Sequence, residues 1–520
     1  CNKFIVELSK SDTGFAAKKE EKNMLLGQLY FFRAWWHFEM MQFLGGLPYV
    51  DKVLGPSEQL RIPRLSFAET ADKAGADFEK AASLLPVNWD NTSTGRKTLG
   101  KNDLRINKIT ALAYAGKNYL WAASPLMKNG AQTGASKNGK TYDYDSEYAK
   151  KAAEMLGKVI NLFESGETQY AFASFDFDNI YDHKKAKGVD TSYSELFFTT
   201  GRSWLQPGGK EAIMRGPSEG WSFTRYNYSR TFGPNQLCAQ DNHIHQPTAN
   251  YVKNYGMANG LPIDDPESGW DPKHPFKDRD PRFYHDIIFD GVQYINGDLS
   301  DKQYEADRPM KYAGLATGGS MRAETNASRS GYFYQKLVPH TCQKVDAGTS
   351  DDYGPNPHAY IPYMRLADIY LMYAEATAVI GGPSGKSSDC SKTSVEALNV
   401  LRDRCGAGHV SPKYVGNAYM DEVRRERAVE LAFEGFRFND LQRWLLLTEP
   451  GYIEKTSQEF MRVSGIDETF YAENNPAEAE VAEFHEEPIL TRDFEAKHYW
   501  FPFLREDTYI YAEFEQNPGW

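Results

Sequence analysis

The chain has 520 residues, with 59 Lys and Arg against 71 Asp and Glu, and a formal net charge of −12. This length is ample for a large core, and the acidic balance lacks the basic footprint of a nucleic-acid-binding protein. No apolar run reaches the roughly 18–20 residues that span a bilayer. The 5 cysteines include no Cys-x-x-Cys pair, so the sequence requires neither a disulfide framework nor a thiolate metal site.

The chain opens with CNKFIVELSK, a stretch that looks like a helix already under way. Phe4, Ile5 and Leu8 would share the buried face of that helix. The first residues carry no signal peptide. We therefore expect that the whole protein has residues upstream of this chain.

Amphipathic helices are predicted in the first 165 residues. Met24 to Leu44 has apolar residues at 25, 29, 32, 36, 40 and 43, the spacing of one helical face. Ser66 is expected to cap a second helix, with Glu69 completing a capping box. Further helices are predicted over about Leu104 to Ala123 and about Ser146 to Glu164.

The helix starts, near 24, 67, 104 and 146, have irregular intervals that are close to the lengths of helix-pair repeats. Small residues such as Ala113 and Gly116 would let neighbouring helices approach closely. The pattern therefore predicts a mainly α fold, a right-handed stack of antiparallel helix pairs like tetratricopeptide repeats.

The middle of the chain is different in composition. From about Gly166 to Tyr360 it is rich in Gly, Pro, Asn, Asp and aromatic residues, and helical periodicity is mostly lost. Long irregular insertions of this kind are usually functional or disordered, and the aromatic content argues against disorder. Short strand-like runs occur at Glu195 to Thr199, Asp286 to Phe289 and Tyr332 to Lys336.

Helices are predicted again over Met364 to Ile380 and near Ser394 to Arg404, before an irregular tail from about Thr448. The expected organisation is one intertwined domain with four parts. These are an N-terminal helical part (1–165), a strand-poor ligand-binding region (166–360), a C-terminal helical part (361–447) and a tail packed on the scaffold (448–520).

The stretch DEVRRERAVELAFEGFRFNDLQRW, from Asp421 to Trp444, is dense in charges and aromatics. Its acids lie within helical reach of its arginines, so we predict a helical hairpin with a structural ion network. A catalytic site would instead need a carboxylate pair across a cleft, and helix neighbours of arginines are poor candidates. The acids are Glu426, Glu430 and Glu434, and the arginines are Arg424, Arg425 and Arg427.

The loop from Arg202 to His245 interleaves aromatic and polar residues and is the main binding candidate. Sugar rings have apolar faces and hydroxyl rims, so flat side chains can pack on the faces while Asn and Arg bond the rims. The alternative is a loop that buries its own aromatics in a small core. Trp89, in VNWDNTSTGR, is a second candidate. The predicted ligand-binding residues are Trp204, Trp221, Arg225, Tyr226, Asn227, Tyr228 and Trp89.

Three further motifs are weaker signals of function. Gly216 to Gly220 reads G-x-S-x-G, but that pattern matters only on a strained strand-to-helix turn, and Pro217 argues against one. His243 and His245 could ligate a metal, although no third ligand is evident. An acidic loop could hold calcium through oxygen ligands, although its spacing is not that of an EF-hand. No cofactor is otherwise predicted. The loop acids are Asp264, Asp265, Glu267 and Asp271.

Several segments together resemble the SusD/RagB family. LGQLYFFRAWWHFEMMQFLGGLPYV is similar to the family's N-terminal helix and Gly-Gly-x-Pro turn, and PTANYVKNYGMANGLPIDDPESGWDP and KDRDPRFY resemble its middle. YMRLADIYLMYAEA, LNVLRDRCGA and RAVELAFEGFRFNDLQRW resemble its C-terminal helices, and YWFPFLREDTYIYAEFEQNPGW its ending. The matches occur in order and cover nearly the whole chain.

The resemblance implies a surface-exposed, lipid-anchored protein of the Bacteroidetes outer membrane. Such proteins capture glycans without catalysis and cap a SusC-type TonB-dependent transporter. Their fold is a tetratricopeptide-like scaffold with an irregular ligand-binding region. Peptide capture by a RagB-like member is the alternative, and a glycoside hydrolase would need paired carboxylates flanking a cleft.

The start of the chain departs from the family pattern. Family members begin with a lipidated cysteine and a substantial segment before the first motif, whereas here Met24 follows closely on Cys1. We expect Cys1 to be an internal residue, with the lipid anchor upstream. The rival reading makes Cys1 the anchor itself.

Overall fold

The computed structural model describes residues 1–10, 19–57, 61–103, 105–131, 139–175, 193, 196–197, 210–216, 245–293, 312–322, 327–337 and 361–520. This part of the chain is mainly helical, as predicted. Its helices are α1 (Asn2–Lys10), α2 (Lys19–Leu44), α3 (Phe67–Leu84), α4 (Lys108–Ala123), α5 (Pro125–Asn129), α6 (Ser146–Glu164), α7 (Ala249–Val252), α8 (Pro281–Asp286), α9 (Leu366–Gly381), α10 (Ser394–Cys405), α11 (Gly416–Glu430), α12 (Arg437–Arg443), α13 (Pro450–Ile453), α14 (Glu468–Glu473) and α15 (Arg505–Thr508).

The described strands pair in antiparallel two-stranded sheets: β1 with β4, β2 with β3, and β5 with β6. Their bounds are β1 (Ala212–Met214), β2 (Ile287–Ile288), β3 (Phe333–Tyr334), β4 (Met364–Arg365), β5 (Glu454–Arg462) and β6 (Val481–Thr491).

Local side-chain chemistry sets the helix ends. Ser66 caps α3 by accepting the backbone N–H of Glu69, whose carboxylate accepts the Ser66 N–H at 2.9 Å, so the predicted capping box is confirmed. Helix α6 spans the predicted residues. Helix α4 begins at Lys108 rather than near Leu104, because Asn107 is its N-cap and accepts the Thr110 N–H at 2.9 Å.

The helices pack in chain order. Helix α2 contacts α3, α3 contacts α4, α4 contacts α6, α6 contacts α9, and α9 contacts α10 and α11. A Cβ at Gly116 of α4 would lie 2.5 Å from Cγ of Leu156 on α6, so the predicted close approach at this glycine is confirmed. This succession of neighbouring helices is the arrangement expected of stacked helix pairs.

Helix α2 is apolar on two faces. Its core face is fully buried at Phe31, Ala34, Phe38 and Met41. The stripe at 25, 29, 32, 36, 40 and 43 is instead half-buried or exposed along its length. Successive helical residues point about 100° apart, so the side chains of Trp35 and its neighbour cannot both enter the core. Helix α2 therefore presents an apolar face outward.

Two of the three predicted short strands are present. Strand β2 lies within Asp286 to Phe289 and β3 within Tyr332 to Lys336, and they pair with Ile287 opposite Tyr334. These strands border a second core rich in phenylalanine. The run from Glu195 to Thr199 falls mostly outside the described residues.

The prediction of an irregular tail is wrong for its first half. Strands β5 and β6, of 9 and 11 residues, form the longest sheet in the described part of the chain. Proline and acidic residues are uncommon in strands. Because β6 contains Pro488 and many acids, its sequence did not predict a strand. They are tolerated because each strand of a two-stranded sheet has one unpaired edge. Farther along, the tail does pack on α2, where Phe501 N–H donates to the Phe43 carbonyl at 2.8 Å.

The segment from Asp421 to Trp444 forms α11, a short turn and α12, so the predicted helical hairpin is confirmed. Helix α11 begins at Gly416, and Asp421 therefore lies in its second turn. The turn includes Phe433 and Gly435, both at positive φ. The segment is part of the scaffold because most of its side chains are buried.

The ion network exists, but its partners differ from the prediction. Arg425 pairs with Glu422, and Arg427 pairs with Asp368 and Asp440. The predicted local pairs are replaced because arginines on other elements reach the same acids. These pairs are Glu426 with Arg282 and Arg402; Glu430 with Arg282, Arg365 and Arg404; and Glu434 with Arg365 and Lys336.

The network stays ionised although it is buried. Burial raises the pKa of Glu426, but the guanidinium groups of Arg282 and Arg402 outweigh burial and lower the pKa to about 2. Burial also raises the pKa of Glu430, but the arginines around it outweigh burial and lower that pKa. These acids join α11 to α8, to β4 and to α10, which is a scaffold role.

Candidate ligand-binding surface

Three aromatic side chains form an outward-facing group, the aromatic surface, made of Trp35 and Trp36 on α2 and Tyr363 just before β4. The ring centroids of Trp35 and Trp36 are 4.9 Å apart, and those of Trp35 and Tyr363 are 6.0 Å apart. Trp36 is 57% exposed and Tyr363 is 48% exposed. Trp36 and Tyr363 therefore each offer a large flat side chain to solvent beside Trp35.

Rigid elements hold the aromatic surface in place. Helix α2 is anchored on its opposite face by the fully buried Ala34 and Phe38. Tyr363 directly precedes β4, which pairs with β1 and carries the fully buried Arg365 of the ion network. A site mounted on a helix and on a paired strand is ordered before any ligand arrives, which lowers the entropic cost of binding.

A carboxyl group lies one helical turn beyond Trp35. Glu39 accepts a hydrogen bond from Gln42 Nε2 at 3.2 Å. Burial raises the pKa of Glu39, and the ammonium group of Lys117 only partly offsets this. The exposed Met40 continues the apolar character along the helix.

The aromatic surface lies close to Gly216, which is inside the predicted binding loop from Arg202 to His245. The Tyr363 hydroxyl lies 3.6 Å from the position that a Cβ at Gly216 would occupy. Gly216 immediately precedes the segment 217–244, which lies outside the described residues. Also outside are the predicted ligand-binding residues Trp204, Trp221, Arg225, Tyr226, Asn227 and Tyr228.

The burial of Trp89 corrects its prediction as a ligand-binding residue. Trp89 is 2% exposed, and its Nε1 donates to the Ile106 carbonyl at 2.9 Å. The Arg105 guanidinium lies 5.1 Å from its ring centroid. The side chain is a part of the main core and has no face open for a sugar to stack on.

The weaker motifs do not form a site in the described residues. Gly216 follows β1, while the rest of the G-x-S-x-G pattern and His243 lie outside the described residues. His245 is exposed, and partial burial lowers its pKa. Among the side chains that the structure describes, no three or more His, Cys, Asp or Glu converge as metal ligands would.

The acidic loop is organised around a lysine. Lys413 Nζ lies 2.7 Å from Asp265 Oδ1 and 2.6 Å from Glu267 Oε2. Its hydrogen bond, with one from Tyr414, lowers the pKa of Asp265 to about 2. Asp271 pairs separately with His274. Asp265 and Glu267 thus already bind the ammonium group of Lys413. The described carboxylates of this loop do not converge as the ligands of a calcium ion would.

The aromatic surface was not predicted from the sequence, although one signal pointed to it. Two adjacent tryptophans in a helix must diverge by about 100°, so a helix that is apolar all round either lies inside a large core or has a second interaction face. The exposure of Tyr363 had no comparable signal, because it depends on how β4 is packed.

Comparisons with known proteins give a consistent result. Residues 210–520 match the model of the SusD family, and residues 5–120 match a model described as starch-binding associating with outer membrane. SusD-like protein P2 from Formosa agariphila is 22% identical over 454 residues, which cover 84% of this chain and 69% of that protein.

Solved structures with the same fold come from Bacteroides fragilis. A SusD-like protein is 20% identical, with a TM-score of 0.64, over 100% of this chain and 83% of that chain. A SusD-like carbohydrate binding protein is 20% identical, with a TM-score of 0.61, over 99% of this chain and 83% of that chain. In the described part of this chain, none of the helices has the length and apolar character of a membrane span.

Proposed function

This chain belongs to the SusD family, and from that premise we propose that it is a non-catalytic binding protein at the cell surface. It captures a glycan, an oligosaccharide, and delivers it to a SusC-type TonB-dependent transporter in the outer membrane. The family description starch-binding associating with outer membrane, matched by residues 5–120, supports both the ligand class and the location. A lipid anchor holds the protein to the membrane in this proposal.

The observation that carries the proposal is the exposure of Trp36 and Tyr363 at 57% and 48%. Exposed rings cost free energy in water, and sugar rings have apolar faces that can cover them. Both rings contact Trp35, so they belong to one surface. A shallow surface of this kind gives modest affinity until a partner closes over the ligand.

The polar part of the site is proposed to come from the loop from Arg202 to His245, which contains Gly216. Arg225 and Asn227 bond the hydroxyl rim of the sugar, while Trp204, Trp221, Tyr226 and Tyr228 extend the stacking surface. Support comes from the proximity of Tyr363 to Gly216, since Gly216 is part of that loop.

The absence of catalysis is part of the proposal, supported for the buried acids of α11 by their ion pairs with arginines. A glycosidase needs one carboxyl that can give a proton and another that can take one, flanking a cleft. Glu426 is buried and paired with two arginines, and its pKa of about 2 keeps it ionised. An acid held in this way cannot act as a proton donor near neutral pH.

Calorimetry against a panel of plant, microbial and host glycans and of extended peptides tests the proposal. We expect heat with one class of glycan and none with the peptides. Heat with peptides alone would replace the proposal by peptide capture of the RagB kind. Release of reducing ends from a bound glycan would show that the protein is a hydrolase. Co-purification with a SusC-type transporter tests delivery.

A further inference from the structure

A cavity lies between β5–β6 and the segment that runs from α7 to α8, far from α2 in the sequence. This β5–β6 pocket has a volume of about 410 Å³, within the range of small-molecule sites. None of the aromatic-surface residues lines it. The residues that matter for its chemistry are Gln458, Trp270, Tyr332, Phe484, Glu486 and Arg279.

Gln458 is the unusual member of the lining. Its side chain is fully buried, and neither its Oε1 nor its Nε2 has a hydrogen-bond partner among the described residues. Its backbone N–H donates to the Ser330 carbonyl at 2.9 Å, so the residue is fixed on β5. Buried carboxamides are nearly always hydrogen-bonded in folded proteins, and the residue with this unpartnered carboxamide lines the pocket.

Aromatic side chains form the walls beside Gln458. The ring centroids of Trp270 and Phe484 are 5.7 Å apart at an interplanar angle of 68°. Trp270 is held by a hydrogen bond from its Nε1 to the Pro275 carbonyl at 3.3 Å. The buried Tyr332 also lines the pocket. One unpartnered carboxamide between flat apolar walls is a small amphipathic site.

Glu486 and Arg279, two charged residues of the pocket, already have hydrogen-bond or ion-pair partners within the protein. Glu486 pairs with Lys253 at 2.7 Å and accepts the Thr456 hydroxyl at 2.6 Å. Arg279 donates to backbone carbonyls, including those of Pro275 and Gly256. The exposed rim adds two acids, Asp264 and Glu454, which would repel an anion. The pocket therefore suits a neutral ligand.

We propose that the β5–β6 pocket binds one neutral sugar ring. The Gln458 carboxamide donates to one hydroxyl and accepts from its neighbour, a pairing that a vicinal diol completes. Trp270 and Phe484 pack on the apolar face of the ring. The polarity and size of the ligand follow from the pocket, while the choice of a sugar among neutral polyols rests on the proposed function.

The test uses saturation-transfer NMR with methyl hexopyranosides at millimolar concentration on the whole chain. Wild type is expected to transfer saturation to at least one glycoside. Gln458→Met, which keeps the volume and loses the carboxamide, is expected to weaken that binding about tenfold or more. Phe484→Leu, which removes a flat face, is expected to weaken it as well. Tyr509→Ala, at an exposed tyrosine that belongs to neither the pocket nor the aromatic surface, serves as the control and leaves it unchanged.

A thermal unfolding measurement separates binding from folding. The Gln458 side chain has no hydrogen-bond partner to lose among the described residues, so Gln458→Met is expected to unfold at the same temperature or higher. No saturation transfer to any glycoside, or equal transfer in Gln458→Met, would overturn the pocket proposal and leave glycan capture by the aromatic surface intact. Glycoside binding that depends on Trp36 and not on Gln458 would also overturn it.

Discussion

Arg443 of α12 and Glu375 of α9 form a fully buried bidentate ion pair, with Nη2 lying 2.7 Å from Oε2 and Nη1 bonded to Oε1. Trp444 Nε1 donates to the same carboxylate at 2.8 Å. The pair ties the end of the helical hairpin to the helix that precedes it in the stack. Removing one partner leaves the other charge buried without its main compensation.

Glu375→Gln is therefore expected to lower the free energy of unfolding by about 3–5 kcal/mol. Urea unfolding followed by circular dichroism measures the loss. Asp51→Asn is the matched control, because the Asp51–Lys73 pair is close to half exposed on both sides, and it should cost no more than about 1 kcal/mol. Equal effects of the two substitutions would contradict a scaffold role for the buried pair.

The same carboxylates predict how stability depends on pH. Burial raises the pKa of Glu375 and of Glu426, but neighbouring arginines prevail and lower each to about 2, from an ordinary value of 4.5. A depressed folded-state pKa gives stability that is present above pH 4.5 and is lost as the pH falls towards 2. The loss is about 3 kcal/mol for each carboxylate.

Urea unfolding between pH 7 and pH 2 checks this expectation. The free energy of unfolding should fall steeply below pH 4.5, and the fall should be smaller in Glu375→Gln, which has one such carboxylate fewer. A free energy that stays constant down to pH 3 would show that these acids are not ionised partners in the folded protein.

Sequence reasoning succeeded where the signal was local. The Ser66–Glu69 capping box and the bounds of α6 depend on residues a few positions apart, and those interactions form in any context that permits the helix. The ion-pair partners were predicted wrongly because residues on distant elements compete for the same acids. Glu430 lies near Arg427 in sequence, yet it binds Arg365 of β4 at 2.7 Å, because α11 turns that carboxylate inward.

The candidate site was less predictable than the fold. The sequence around Trp89 predicts a loop with an exposed tryptophan. Its side chain is instead buried in the core and donates a hydrogen bond to the Ile106 carbonyl, a tertiary contact that no sequence pattern indicates. Trp36 lies in the apolar stripe that the spacing assigns to one face of α2, yet it is exposed because the helix buries its other face. Whether an aromatic side chain faces solvent depends on packing around the whole element, which periodicity alone does not report.

Trp89→Ala is expected to lower the free energy of unfolding by about 3–5 kcal/mol, because it empties a large core volume. Trp36→Ala removes an exposed side chain and is expected to cost less than about 1 kcal/mol. Chemical denaturation of both variants measures the difference. A larger loss in Trp36→Ala than in Trp89→Ala would mean that the burial assigned to these two residues is reversed.

The contact between α4 and α6 depends on Gly116. A Cβ there would lie 2.5 Å from Leu156 Cγ, so Gly116→Ala is expected to destabilise the protein by about 1–3 kcal/mol despite the better helix propensity of alanine. Gly451→Ala is the control, since no atom lies within 4 Å of its Cβ position. Thermal unfolding compares them, and an equal or higher midpoint for Gly116→Ala would contradict the close packing.

The most direct test of glycan capture is calorimetry of Trp36→Ala and Tyr363→Ala with a glycan that binds wild type. Each variant is predicted to bind about three- to tenfold more weakly, as loss of one aromatic contact implies. Tyr509→Ala, at a tyrosine that is 72% exposed elsewhere, should bind like wild type. An unchanged dissociation constant in both Trp36→Ala and Tyr363→Ala would contradict the assignment of the aromatic surface as the ligand site.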